Sequence, residues 1–191
     1  MSDYTELMGE LLELGANTNP VFPYTACILD SSGQILVTAS NARHISPLYT
    51  AEGLALHRLV SEFDCQQKQS LILFTTSEPD DLSLMAIYWA RNRGIHINKI
   101  VYGLSRAKLK KIWPDDPSQS LGTNLKHFPK AFSNSISIHD PVLEDECLNA
   151  FMEGKAMFDR GDAPVQSMNI HQYWMAGDWL IDDQEKDTEL S

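Results

Sequence analysis

The chain has 191 residues, the length of one domain with or without an appended segment. At 43% hydrophobic and 9% aromatic it can bury a core without disulfide or metal staples, which excludes disorder as a description of the whole chain. The 15 Lys and Arg against 26 Asp and Glu give a formal charge of −11, which repels phosphate backbones and argues against tight non-specific nucleic-acid binding.

Residues 3–14 place Tyr4, Leu7, Met8, Leu11 and Leu12 on one stripe, predicting an amphipathic helix ended by Gly15. Asn17 to Pro23 reads as a loop. Thr25 to Leu29, a turn at Asp30-Ser31-Ser32-Gly33 and a return over Ile35 to Thr38 predict a hairpin. Asn41 to Tyr49 is a second loop. Residues 51–63 follow as a helix with one apolar side.

Leu71 to Thr76 is apolar enough for a central strand covered on both faces, and Leu82 to Arg91 reads as a helix apolar nearly all round. Lys99 to Tyr102 is the next strand and Ser105 to Lys111 a short basic helix. Its Arg106, Lys108, Lys110 and Lys111, like Arg91, Arg93 and Lys99, read as solvated cations. Residues 113–134 show no clear period and read as a long loop. Ile136 to His139 is a last strand, and Pro141 to Phe158 a long helix with Pro in its first turn. Strands alternating with helices after a hairpin predict a mixed, largely parallel sheet between helical layers.

From Gly161 the character changes. Met168 to Ile181 carries His171, Tyr173, Trp174 and Trp179, and Asp182 to Ser191 is acidic. The expected division is a domain over 1–160 and an aromatic, acid-ended segment over 161–191. Cys27, Cys65 and Cys147 show no C-x-x-C spacing, which suits a reducing compartment. No basic region followed by an apolar stretch opens the chain, and no run reaches the ~18 apolar residues of a membrane span. A cytoplasmic protein without membrane contact is expected.

In parallel α/β sheets ligands sit beyond the carboxyl ends of strands, at helix N-termini. Two segments qualify: Tyr49-Thr50-Ala51-Glu52, and Ser77-Glu78-Pro79-Asp80-Asp81-Leu82-Ser83. With Phe22 to Asp30, the Ser32-Gly33-Gln34-Ile35 turn, Asn41, Ala86 to Ala90, Lys99 to Gly103 and Val142 to Cys147, they form an ordered set. That set resembles the cytidine deaminase-like superfamily, in its guanine deaminase and tRNA adenosine deaminase branch, over residues 1–158.

The resemblance implies a three-layer α/β/α fold with a mixed five-stranded sheet. The family carries H-x-E in the first segment and P-C-x-x-C in the second, holding a zinc ion beside a general acid/base Glu. Here the His position is Thr50 and the two Cys positions are Asp80 and Ser83, while Glu52 keeps the acid/base position. Neutral hydroxyls are poor zinc donors, so no metal and no cofactor is expected. Asn41 stands where the family contacts substrate. His44 and Asp81 are the neighbours from which, with Glu52 and Asp80, a hard-cation site of oxygen ligands could be rebuilt. Against that, Asp80 and Asp81 suit the start of any helix, and Thr50 and Glu52 suit helix capping.

The expected function is a deaminase-fold protein that binds a nucleobase- or nucleoside-like ligand without ordinary zinc-dependent deamination. The ligand-binding residues would be Asn41, His44, Thr50, Asp80, Asp81, Ser83 and Trp174, with Glu52 catalytic if chemistry survives. The alternatives are an active deaminase-like hydrolase with a remodelled carboxylate or metal site, and a non-catalytic subunit beside an active deaminase. A homodimer is expected, both from the family and from the apolar Leu82 to Arg91 helix.

Overall fold

The computed structural model describes residues 4–62 and 70–162. The expected aromatic segment, Trp174 included, therefore lies outside the described residues, which stop two residues past the expected division. The elements in order are α1 (Tyr4–Thr18), β1 (Thr25–Leu29), β2 (Ile35–Ser40), α2 (Ala51–Glu62), β3 (Ser70–Ser77), α3 (Asp81–Arg91), β4 (His96–Leu104) and α4 (Arg106–Ile112). Two single-turn helices, α5 (Leu121–Asn124) and α6 (Lys130–Ser133), come next, then β5 (Ser137–Ile138) and α7 (Glu144–Asp159).

The sheet has five strands in the order β2-β1-β3-β4-β5. β1 pairs antiparallel with both β2 and β3, and β3, β4 and β5 are parallel. This is the expected mixed sheet. Alternation along the strands divides the core between its two faces. Ala26, Ile28, Leu71 and Leu73 face α2 and α3 with Ala55, Leu59, Leu84 and Ile87. Their neighbours Cys27, Leu29 and Phe74 face α1, α4 and α7 with Met8, Leu109, Cys147 and Phe151. The result is three layers. Among the described residues, no helix is long and apolar enough to cross a membrane.

Several local expectations are corrected. Gly15 does not end α1, which runs on to Thr18. It is buried because Pro23 crosses it: a Cβ there would stand 2.9 Å from the Pro23 carbonyl oxygen. Residues 113–134 are not one loop. They hold α5, a 3₁₀ turn and α6, seated by Phe128 and Phe132 against the Tyr88 ring at 5.4 and 5.1 Å. Aromatic packing rather than helical periodicity orders this stretch. α7 starts at Glu144 and not at Pro141, since Leu143 sits at φ 50°, a left-handed conformation that interrupts the helix. Arg106 is not a solvated cation but is buried, 4% exposed.

Candidate active site and its two cavities

Two helix starts meet beyond the carboxyl end of β3. Thr50 precedes α2, and its Oγ1 accepts the Gly53 amide at 3.0 Å, as an N-cap does. Asp80 precedes α3, and its Oδ1 accepts the Ser83 amide at 2.9 Å. The capping readings of these two residues therefore hold. They bring the Ser83 Oγ within 3.2 Å of the Thr50 Oγ1.

Glu52, in the first turn of α2, is buried at 4% exposed, and its carboxyl meets its own first-turn backbone amide as well as two side chains. Its Oε1 accepts the Thr75 hydroxyl of β3 at 2.7 Å, and its Oε2 lies 2.9 Å from the Ser83 Oγ. Burial, then the Asp80 charge, pushes the Glu52 carboxyl above its ordinary pKa, against the hydrogen bonds from Thr75 and Ser83. A protonated Glu52 suits the network, because it can donate to Ser83 and free the Ser83 proton for Thr50.

Asp80 is different. Burial raises its carboxyl, but the Arg43 guanidinium and the Ser83 amide outweigh that and hold it below the usual carboxylate value. Arg43 is ion-paired with Asp80 Oδ2, and its guanidinium lies 5.8 Å from the centre of the Tyr24 ring. Neighbouring carboxyls are thus pushed in opposite directions, the arrangement that separates an acid from a base.

This donor set does not fit zinc. Zinc takes thiolate, imidazole or carboxylate. Thr50 and Ser83 offer hydroxyls already in hydrogen bonds, and both oxygens of Asp80 are engaged by Ser83 and Arg43. Among the described residues, no group of three or more His, Cys, Asp or Glu side chains is placed to hold a metal ion.

An inner cavity of about 10 Å³ is lined by Tyr24, Arg43, Thr50, Glu52, Glu78, Asp80 and Arg106, among others. That is about the room of one water, far below the ~300–1,000 Å³ of small-molecule pockets. Its far wall is a buried charge cluster. Glu78 accepts the backbone amides of Arg106 and Leu121, both at 2.5 Å. Arg106 donates through Nη1 to Asp116 at 2.6 Å and through Nη2 to the Glu78 carbonyl, but its Nε has no hydrogen-bond partner among the described residues. Burial pushes the Tyr24 phenol well above its ordinary pKa, against the Arg106 and Arg43 charges.

Outside it lies a groove of about 480 Å³, which shares Tyr24 and Arg43 and adds Trp113, Asp115, Asp116 and Phe158. The Trp113 and Phe158 rings meet edge to face at 5.2 Å, and Phe22 packs against both.

Of the expected site residues, Thr50, Glu52, Asp80 and Ser83 converge. Asn41 is buried outside both cavities, donating its Nδ2 to the carbonyls of Phe22 at 2.6 Å and Tyr24 at 3.3 Å. His44 and Asp81 are exposed and line neither cavity. Tyr24, Arg43 and Arg106 were missed. Arg106 and Leu109 are both buried three residues apart, a helical-face signal present in the sequence. Arg43 lies in a loop and has no comparable signal.

No family model and no curated protein matches the chain. Solved structures do. A variant of NE0047 in complex with 8-azaguanine superposes with a TM-score of 0.63 at 20% identity, over 81% of this chain and 87% of that one. NE0047 in complex with 2,6-diaminopurine gives 0.63 at 19%, over 82% and 83%. The guanine deaminase from Nitrosomonas europaea gives 0.59 at 20%, over 78% and 82%. The chain has the cytidine deaminase-like fold of guanine deaminase.

Proposed function

We propose that this protein uses the deaminase fold to bind a nucleobase- or nucleoside-like ligand and has lost zinc-dependent deamination. The observation that carries the reading is the closed network of Thr50, Glu52, Asp80, Ser83 and Arg43. Hydroxyls, a carboxyl and a guanidinium there satisfy one another, in a geometry a divalent ion would have to break. The 8-azaguanine and 2,6-diaminopurine complexes of the superposed structures support the ligand class.

Elemental analysis of protein purified without added metal, with a deamination screen over bases and nucleosides, tests the reading. The expected result is no stoichiometric zinc and no ammonia release, with at least one base binding. Stoichiometric zinc at this site overturns it. Replacing Thr50→His, Asp80→Cys and Ser83→Cys together supplies imidazole and thiolates, and zinc binding should then appear.

A second reading is favoured by the opposite pKa shifts of Glu52 and Asp80: a hydrolase in which buried Glu52 acts as a metal-free general acid. Ammonia release lost on Glu52→Gln with no metal present would select it. A homodimer is proposed through the exposed Leu82, Met85 and Trp89 of α3. Under a purely non-catalytic reading, an active deaminase would be the partner.

A further inference from the structure

The two cavities differ in what they can hold. The inner one has room for about a water, while the outer groove, at about 480 Å³, has the size of a small-molecule pocket. Tyr24 and Arg43 line both, so the groove and the inner cavity adjoin at these two side chains. Trp113 and Phe158 give the groove an aromatic side, where the Lys155 ammonium now lies 5.2 Å from the centre of the Trp113 ring, a place a flat ligand would take by displacing it.

The polar groups narrow the ligand class further. Arg106 is 4% exposed, and its Nε is a buried donor without a partner among the described residues. Leaving such a donor unmet carries the full cost of its lost hydration, so an acceptor atom belongs beside it. Arg43 is a second donor on the same cavity, and its fork has N–H groups beyond the one that meets Asp80. The groove lining carries Arg43 and Lys155 against Asp115 and Asp116, with no net charge, on a chain of formal charge −11. That field favours a neutral ligand over a phosphate-bearing one.

We propose that the ligand is a neutral planar heterocycle with a carbonyl edge, its ring lying in the outer groove against Trp113 and its carbonyl oxygen reaching in between Arg43 and the Arg106 Nε. The proposal rests on the base-binding reading above and makes Arg43 the residue that selects an oxo edge over an amino edge. An amino group at that position would bring donor against donor, and a site built for one hydrogen-bonding pattern rejects its opposite strongly.

Calorimetry with hypoxanthine and adenine, which differ in an oxo against an amino substituent, tests it on the full chain. Hypoxanthine should bind at least tenfold tighter. Arg43→Gln should bring the two affinities within about twofold, and Trp113→Leu should weaken hypoxanthine tenfold or more. If Arg43→Gln fails to fold, Arg43→Lys keeps the charge, loses the fork and must still reduce the ratio. Equal or tighter adenine binding overturns the proposal, as does a ratio unchanged in both Arg43 variants, hypoxanthine binding unaffected by Trp113→Leu, or tighter binding of the inosine monophosphate. In those outcomes the base-binding reading survives. If neither these nor any other base binds the full chain, both fall. Binding that appears only after removal of residues 168–191 makes the chain's own aromatic segment the occupant of the groove and overturns the proposal.

Discussion

Arg43 forms an ion pair with Asp80 across 37 residues of sequence, joining the loop after β2 to the start of α3. The pair lines the inner cavity and keeps Asp80 ionised while Glu52, on the same cavity, is pushed toward its neutral form. The electrostatic behaviour of the site follows from that division.

Glu52 should therefore weaken the fold as pH rises. Its folded pKa lies above its unfolded one, so the stability it contributes is full below the unfolded carboxyl value and is lost as pH climbs through the folded value. Glu52→Gln removes that loss and can still accept from Thr75 and donate to Ser83. Thermal melts should show the variant more stable than the parent at about pH 8, by a few degrees for ~1 kcal/mol, and little different at about pH 4. A variant less stable at both values would contradict a raised Glu52 pKa.

Asp80 titrates with the opposite sign. Its folded pKa is depressed, so its contribution is present above the unfolded value and is lost as pH falls through the folded one. Arg43→Ala should cost about 1 kcal/mol and not several, because the Arg43 side chain is 39% exposed and water screens the pair. Asp80→Asn keeps an N-cap acceptor and removes a charge that raises Glu52, so it should lower the Glu52 pKa. A double-mutant cycle in urea and carboxyl NMR titration check the two effects.

Gly154 of α7 should tolerate no side chain. A Cβ there would stand 2.5 Å from the Val21 carbonyl oxygen and 2.8 Å from that of Pro20, both backbone atoms. Gly154→Ala should cost about 1–3 kcal/mol through overpacking, despite the better helix propensity of Ala. A midpoint in urea equal to or above that of the parent would show that α7 can move away from the 20–21 segment.

The outer face of α3 should mediate self-association. Leu82, Met85 and Trp89, three and four residues apart, are exposed on one side, with Trp89 62% exposed. Trp89→Glu places a charge in the middle of that stripe and should shift the protein from dimer to monomer in light scattering at micromolar concentration. An unchanged mass in both proteins would remove α3 from the interface.

The layers and the sheet order were legible because strand alternation and helix stripes are strong local signals, as in the Cys27 and Ile28 pair pointing to opposite cores. Thr50, Glu52, Asp80 and Ser83 were legible as a group through the family resemblance. Their chemistry was not. Which residue neutralises Asp80 depends on how the 41–49 loop folds, and Arg43 belongs to no periodic pattern there. Nor did the sequence reveal that Asn41 spends its amide on the backbone of 22–24, or that aromatic contacts order residues 121–133 into short helices.

The Glu78 carboxylate bridges the amides of Arg106 and Leu121, which open two separate short helices of the connection between β4 and β5. One side chain at the end of β3 thus fastens the entry to α4 and the entry to α5. These amides precede or open short helices with little ladder of their own, so their shielding from solvent depends on that single carboxylate. Under native conditions Arg106 and Leu121 should take up deuterium together, with one opening free energy, and Glu78→Gln should accelerate both while leaving the central β3 amides slow.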